Sequence, residues 1–212
     1  MISVIMLSGG FESTVTLKYL LEETTDDVMV HHIQMMNAEG RYEAEAEAVK
    51  KIVPYMRKIR RFRFSTSQIM IPELDSGYAG IDMMTIGFMG GHIVRGIHHQ
   101  IGYSEPIRLV VGFIAFDDEG KTLKDTDVVG STIFEQHFHD YYKMGLETPT
   151  LEFLLRDMTY KQEAYDKYID PELDAMLHCC RRPKKFYDNT FIECGCCHTC
   201  FKMNTLRGVP NE

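Results

Sequence analysis

Apolar residues near the start of the chain fall in short runs separated by stretches of helical period. Residues 2–7, Ile-Ser-Val-Ile-Met-Leu, are almost continuously apolar and predict a buried strand. Residues 12–23 place Val15, Leu17, Leu20 and Leu21 at helical spacing, and residues 28–35 predict a second strand. Over 41–57, Ala44, Ala48, Val49, Ile52, Val53 and Met56 share one helical stripe, with Glu and Lys on the other faces. Pro54 is expected to kink or shorten the last turn of that helix. Ile59 to Phe64 mixes apolar and basic residues, as a third strand would. Residues 85–101 predict a helix containing small residues, and 107–116 a fourth strand. Residues 65–84 and 117–130 carry little periodicity and are expected to be weakly structured. Strands alternating with helices imply βαβ units and a doubly wound, mostly parallel, Rossmann-like α/β sheet. Ligands in such sheets bind at the carboxyl ends of the strands. Asp75, Asp82, Asp117, Asp118, Asp125 and Asp127 follow strands and supply carboxylates on that side, most of them as turn formers and solvated charges.

A chain of 212 residues suits one α/β domain with an appendage, and 44% hydrophobic residues can build a sizeable core. No apolar run approaches the ~20 residues of a membrane span, and no signal peptide is expected. The net charge of −8 argues against a nucleic-acid surface as the main function. The local basic run Arg57-Lys58-Ile59-Arg60-Arg61 reads as a solvated helix end running into a strand. Six cysteines without an export signal point to thiols or a metal site rather than disulfides, and to a cytoplasmic protein.

Candidate chemistry lies at both ends of the chain. Leu7-Ser8-Gly9-Gly10-Phe11-Glu12-Ser13-Thr14 directly follows the first strand and opens the first helix. Consecutive unobstructed amides beside a helix N-terminus form an anion nest, for which phosphate is the usual occupant. Neither the G-x-x-x-x-G-K-[ST] nor the G-x-G-x-x-G spacing is present. An ordinary strand-to-helix turn using glycine for its backbone freedom is the alternative. Near the other end, Cys194, Cys197 and Cys200 are spaced C-x₂-C-x₂-C. Three thiolates so spaced can converge on one ion, and Cys179 or Cys180 could complete a tetrahedral zinc site. An iron–sulfur cluster or a set of free thiols remains open, and His198 lies within the knuckle. His31, His32, His98 and His99 form no ligand spacing with it and are expected at the surface or satisfied in the core.

Ser8, Gly9, Gly10 and Ser13 resemble the pyrophosphatase loop of the N-type ATP pyrophosphatases, with Glu12 where that group usually has Asp. Together with Cys194, Gly195, Cys197 and Cys200, they make the chain similar to the 7-cyano-7-deazaguanine synthase family. Further islands of likeness are Gly112 with Asp117, Thr148-Pro149 ahead of Lys161-Gln162-Glu163, and Cys180 as the first zinc cysteine with Cys179 in reserve. The family's Tyr-Pro-Asp-x-Arg stretch is not reproduced after Asp117, where Asp118-Glu-Gly-Lys121 follows, nor is its arginine–asparagine pair evident between Gly77 and Gly90.

The resemblance implies an adenine nucleotide alpha hydrolase-like domain over 1–145 and a helical, zinc-binding segment over 146–212. It implies conversion of 7-carboxy-7-deazaguanine and ammonia to the 7-cyano product at the expense of ATP. Leu7 to Thr14 would hold ATP, and Glu12 with Asp117 would hold Mg²⁺. Lys161 would neutralise charge on the phosphates, its alternative being a helix-surface ion pair with a neighbouring Glu. Zn²⁺ on Cys180, Cys194, Cys197 and Cys200 would be structural, and the protein a homodimer. Three other readings stand beside this one: another ATP pyrophosphatase such as a tRNA thiolase or ligase, a non-catalytic nucleotide-binding relative, and a zinc-ribbon nucleic-acid binder.

Overall fold

The computed structural model describes residues 1–37, 40–71, 81–101, 106–114, 150–155, 160–188 and 190–210. Five parallel strands form one sheet in the order β3-β2-β1-β4-β5: β1 Ile2–Met6, β2 Asp27–Met36, β3 Arg63–Met70, β4 Ile107–Val110 and β5 Thr150–Glu152. Helices α1 Phe11–Glu23, α2 Tyr42–Met56 and α3 Ile81–Ile101 alternate with them. The C-terminal part adds α4 Lys161–Tyr168, α5 Pro171–Asp174 and α6 His198–Leu206, with a short antiparallel hairpin of β6 Lys184–Lys185 and β7 Phe191–Ile192.

The sheet is covered on both faces, which explains why its central strands read as unbroken apolar runs. Ile5, Leu7, Val28 and Val30 point to one side and meet α1, α2 and residues of α4, α5 and α6. Ile2, Val4, Met6, Ile33 and Leu109 point to the other and meet Val94 and Ile97 of α3. Ile5, Leu17, Leu20 and Ile52 are fully buried, and each such side chain stabilises the fold by roughly 1.5–3 kcal/mol. The C-terminal helices therefore share the α1/α2 core, and β5 lies in the main sheet beside β4.

Several expected boundaries move. The third strand was expected over 59–64; it spans Arg63–Met70, inside the stretch expected to be weakly structured. It is a largely exposed edge strand, and the exposed Ser65 and half-buried Ser67 on one of its faces bond the buried His31. It lacks an apolar signature because its partner is polar. Residues 57–62 are instead the turn below α2, and Arg60 donates both guanidinium ends to Leu20 O and Thr24 O at the carboxyl end of α1. Helix α3 begins at Ile81 rather than 85. Strand β4 ends at Val110 rather than 116, although the Val111 N–H still donates to Glu152 O of β5 at 3.1 Å. Pro54 falls in the last turn of α2, which still runs to Met56. No helix among the described residues is long and apolar enough to cross a membrane.

Candidate functional site

Strand order reverses at β1: β2 and β3 lie on one side of it, β4 and β5 on the other. The crevice at the carboxyl end of such a switch strand is where open α/β sheets take ligands. Ser8, Gly9 and Gly10 occupy that end of β1. Gly9 sits at φ +84°, a backbone region that disfavours side chains, and a Cβ there would lie 3.0 Å from both Ala48 Cβ and Glu45 O. Glycine is needed because α2 crosses directly beneath the turn. Gly112, just beyond β4, is equally constrained: a Cβ there would lie 2.5 Å from Ser13 Cα. The first turn of α1 thus presses on the backbone after β4, and the loop lies in the switch-point crevice.

Two hydroxyls organise the loop. Ser8 N–H donates to Ser13 Oγ at 3.1 Å, the two hydroxyls are 2.9 Å apart, and Gly10 N–H donates to Ser8 Oγ at 3.3 Å. Gly10 is the N-cap of α1 and has no side chain to cap the first turn. Helix N-termini carry positive charge that can draw an anion, and the two hydroxyls are gathered at the N-terminus of α1. The backbone N–H groups of Leu7, Phe11 and Thr14 are donated within the fold, to His31 O, Cys179 Sγ and Gly10 O, and their side chains are buried. Phe11 packs on Tyr165 of α4 with ring centroids 6.0 Å apart.

Lys161, the first residue of α4, brings Nζ to 3.1 Å from Glu12 Oε1. The structure thus joins two of the three expected catalytic groups across most of the chain's length. The lysine side chain is 12% exposed and the glutamate 34%. Asp117, the third expected group, lies outside the described residues, as do Thr148-Pro149, Asp75, Asp118, Asp125 and Asp127.

The cysteines resolve into two kinds. Cys180, Cys194, Cys197 and Cys200 place their Sγ atoms within 4.8 Å of one another. Cys194 to Cys200 is 3.9 Å and Cys197 to Cys200 is 3.4 Å. Tetrahedral zinc with ~2.3 Å bonds to sulfur needs sulfur atoms about 3.8 Å apart, so the cluster fits such an ion. The backbone N–H groups of Arg182 and Cys194 both point at Cys180 Sγ, at 3.3 and 3.1 Å, as expected around a thiolate ligand. Burial opposes ionisation of Cys197, but hydrogen bonds from Thr199 and from the backbone outweigh it and bring the thiol down to about 6. A zinc ion held by all four sulfurs would have a closed coordination sphere, and its role would be structural.

Cys179, the reserve ligand, turns the other way. Its Sγ accepts the Phe11 N–H at 3.2 Å, and burial pushes its thiol up to about 12. Its neighbour His178 donates its backbone N–H to Gly9 O at 3.0 Å. Residues 178–180 therefore tie the glycine loop to the cysteine cluster, a link no local pattern announced. Glu193 reinforces it, accepting from Cys179 N–H at 3.1 Å and from Arg207 Nη1 at 3.1 Å. His31 and His32 are buried beside the loop. His31 lies between the Ser65 and Ser67 hydroxyls at 2.8 and 2.9 Å, and burial, helped by the neighbouring His32, drops its pKa to about 4. His32 Nδ1 donates to Leu7 O at 2.8 Å, which fixes its tautomer, while its buried Nε2 has no partner among the described residues. A separate groove, lined in part by Tyr42, Glu43, Lys50, Lys185 and Phe191, runs between α2 and the β6–β7 hairpin.

No protein-family model and no curated protein sequence matches the chain. Among solved structures it is similar to a predicted subunit of a tRNA methyltransferase from Methanocaldococcus jannaschii. That likeness has 13% identity, covers 76% of this chain and 72% of that one, and has a TM-score of 0.33, too loose to speak to function.

Proposed function

We propose that the chain is an ATP-dependent adenylating enzyme that converts 7-carboxy-7-deazaguanine and ammonia to the 7-cyano product. The observation that carries this reading is the glycine loop at the switch point of the sheet, with Lys161 brought onto its edge at 3.1 Å from Glu12. Ser8, Gly9, Gly10 and Ser13 support this reading, with Glu12 in place of the usual Asp. Ser8, Gly9, Gly10 and Ser13 receive the β- and γ-phosphates, which leave as pyrophosphate. Glu12, with Asp117, would hold Mg²⁺, which would supply neutralisation of the phosphate charge. Lys161 leaves Glu12 for a phosphate oxygen when the nucleotide enters. A resting carboxylate is a poor electrophile, so its oxygen is adenylated first and ammonia then displaces AMP to give the amide. Activating the amide oxygen in the same way lets it depart and leaves the nitrile, so two AMP form for each nitrile. A correctly placed donor on such developing charge is worth about 2.7–4 kcal/mol. The same proposal gives residues 1–145 to the nucleotide and 146–212 to the metal-stiffened segment that carries Lys161, in a homodimer.

The Lys161–Glu12 pair also favours a second reading, a nucleotide-binding relative without chemistry, because it satisfies both charges in the free protein. One assay divides the two. Metal-loaded protein is given ATP, Mg²⁺, ammonium and 7-carboxy-7-deazaguanine, and AMP and nitrile are measured. AMP with nitrile at two to one is expected. AMP without nitrile assigns another acid to the same machinery. Absence of AMP from a folded, metal-loaded sample with every deazapurine acid tried would sink the enzyme reading.

A further inference from the structure

The chain's two basic tracts meet different fates. Arg57–Arg61 is consumed within the fold: Arg60 caps α1, Arg57 lies 5.3 Å over the Phe62 ring, and Lys58 pairs with Glu172 at 3.2 Å. Around the β6–β7 hairpin Arg181, Lys185 and Lys202 are engaged too, while Arg182 and Lys184 stand exposed. Residues 180–203 hold five Lys or Arg and only two carboxylates, in a chain of net charge −8. Both carboxylates are engaged internally. Asp188 accepts from the Thr190 amide and hydroxyl at 2.9 and 2.7 Å, and Glu193 is held by Arg207 and the Cys179 amide. Lys185 is drawn to Glu43 on α2 at 2.6 Å.

Strand pairing sorts the rest. Lys185 opposes Phe191, and Lys184 opposes Ile192. Side chains alternate across a strand, so Lys185 and Phe191 face α2 while Lys184 and Ile192 face away from it. Arg182 and Lys184 are exposed, Phe186 is 47% exposed and Tyr187 is wholly so. Cys180 and Cys194 stand at the two feet of this hairpin and are joined by the Cys194 N–H to Cys180 Sγ bond. A metal ion at the four cysteines would therefore hold the hairpin out as a stiff platform.

We propose that the β6–β7 hairpin is a docking surface for single-stranded nucleic acid, with phosphates on Arg182 and Lys184 and bases stacked on Tyr187 and Phe186. Exposed aromatic faces between cations are the pairing that unpaired strands recognise, because every base offers a π-face and every linkage an anion. A duplex hides those faces. A second copy of this chain docking by the same patch about a two-fold axis would bring Arg182 and Lys184 against their own kind.

The test is fluorescence anisotropy of labelled oligouridine and oligothymidine of about 12 nucleotides, within the span such sites cover, titrated with the whole metal-loaded protein. Saturable binding of either strand is expected, in the range of about 10⁻⁴ to 10⁻⁶ M typical of sequence-independent contacts. A preference between the two strands assigns the sugar. Tyr187→Ala weakens binding about 10-fold by removing one stacked base. Arg182→Glu with Lys184→Glu abolishes it, whereas Arg57→Glu, outside the surface, leaves it unchanged. Metal content verifies that each variant is folded at the knuckle. The proposal is overturned by the absence of saturable binding, by binding that survives the double charge reversal, or by hairpin variants that change the sedimentation of the protein instead of its oligonucleotide affinity.

Discussion

The cysteine cluster and the glycine loop are both built for charge, and they are assembled in opposite ways. The cluster closes within one short stretch: Cys194 N–H reaches Cys180 Sγ across only 14 positions, and the remaining ligands follow within one turn of chain. The loop is completed from afar. Phe11 N–H is held by Cys179, 168 positions away, and Glu12 by Lys161 at the start of α4. A local site can be stable before the rest of the fold forms, provided its ion is present. A distant one depends on the whole sheet and on the C-terminal segment being docked. The two meet at residues 178–180, so the cysteine cluster buttresses one wall of the loop.

Breaking the metal cluster should have the largest effect. Structural zinc contributes about 10–16 kcal/mol of apparent binding free energy in small domains, and a zinc ion at these four cysteines would put that energy into holding residues 178–200 against the loop. Cys197→Ser should lose the metal by elemental analysis and should deprotect amides of both the hairpin and Ser8–Thr14 in hydrogen exchange. Deprotection confined to the hairpin would show that the two regions are independent.

Lys161→Ala comes next and should separate chemistry from folding. AMP formation should drop by roughly 10²–10³, the usual consequence of losing one charge-stabilising donor. The melting temperature should hardly change, because a partly exposed ion pair is worth about 1 kcal/mol or less. A large fall in melting temperature would make Lys161 a structural staple instead.

The His31 pocket offers a pH test of the wall formed by β2 and β3. Burial holds the imidazole at about 4, below its ordinary 6.5, so the unfolded chain binds the proton more readily than the folded one. Stability should be fully present above pH 6.5 and decline as pH falls toward 4, by as much as about 3 kcal/mol. His31→Gln should flatten that part of the denaturation profile, and an unchanged profile would remove His31 from the account.

The smallest expected effect is also the sharpest on ligand assignment. Cys179→Ser keeps an acceptor for the Phe11 amide, so metal content should be unchanged and stability should move by about 1 kcal/mol or less. Cys180→Ser should lose the metal. The reverse pattern would exchange the two cysteines' roles.

Much of this was legible along the chain, for identifiable reasons. Strands β1 and β2 are apolar on both faces because helices cover both, so their runs stand out. The knuckle is legible because its ligands are sequence neighbours. Strand β3 lies beyond its expected place because Ser65 and Ser67, which bond the buried His31, are polar and leave no apolar alternation to read. Cys179 and Cys180 could not be told apart by spacing, since adjacent side chains point to opposite sides and either could face the ion. The motif marked Glu12 and Lys161 separately, but nothing in it places one 3.1 Å from the other. Only the packing of α4 on α1 does that.

The central claim is that Ser8–Thr14 receives the phosphates of ATP. The most direct measurement is amide NMR of the metal-loaded protein titrated with Mg²⁺ and ATP. The account predicts saturable shifts of the Gly9, Gly10, Phe11 and Ser13 resonances, with inorganic pyrophosphate reproducing most of them. No saturable shift in the loop, or shifts confined to the groove between α2 and the β6–β7 hairpin, would contradict it.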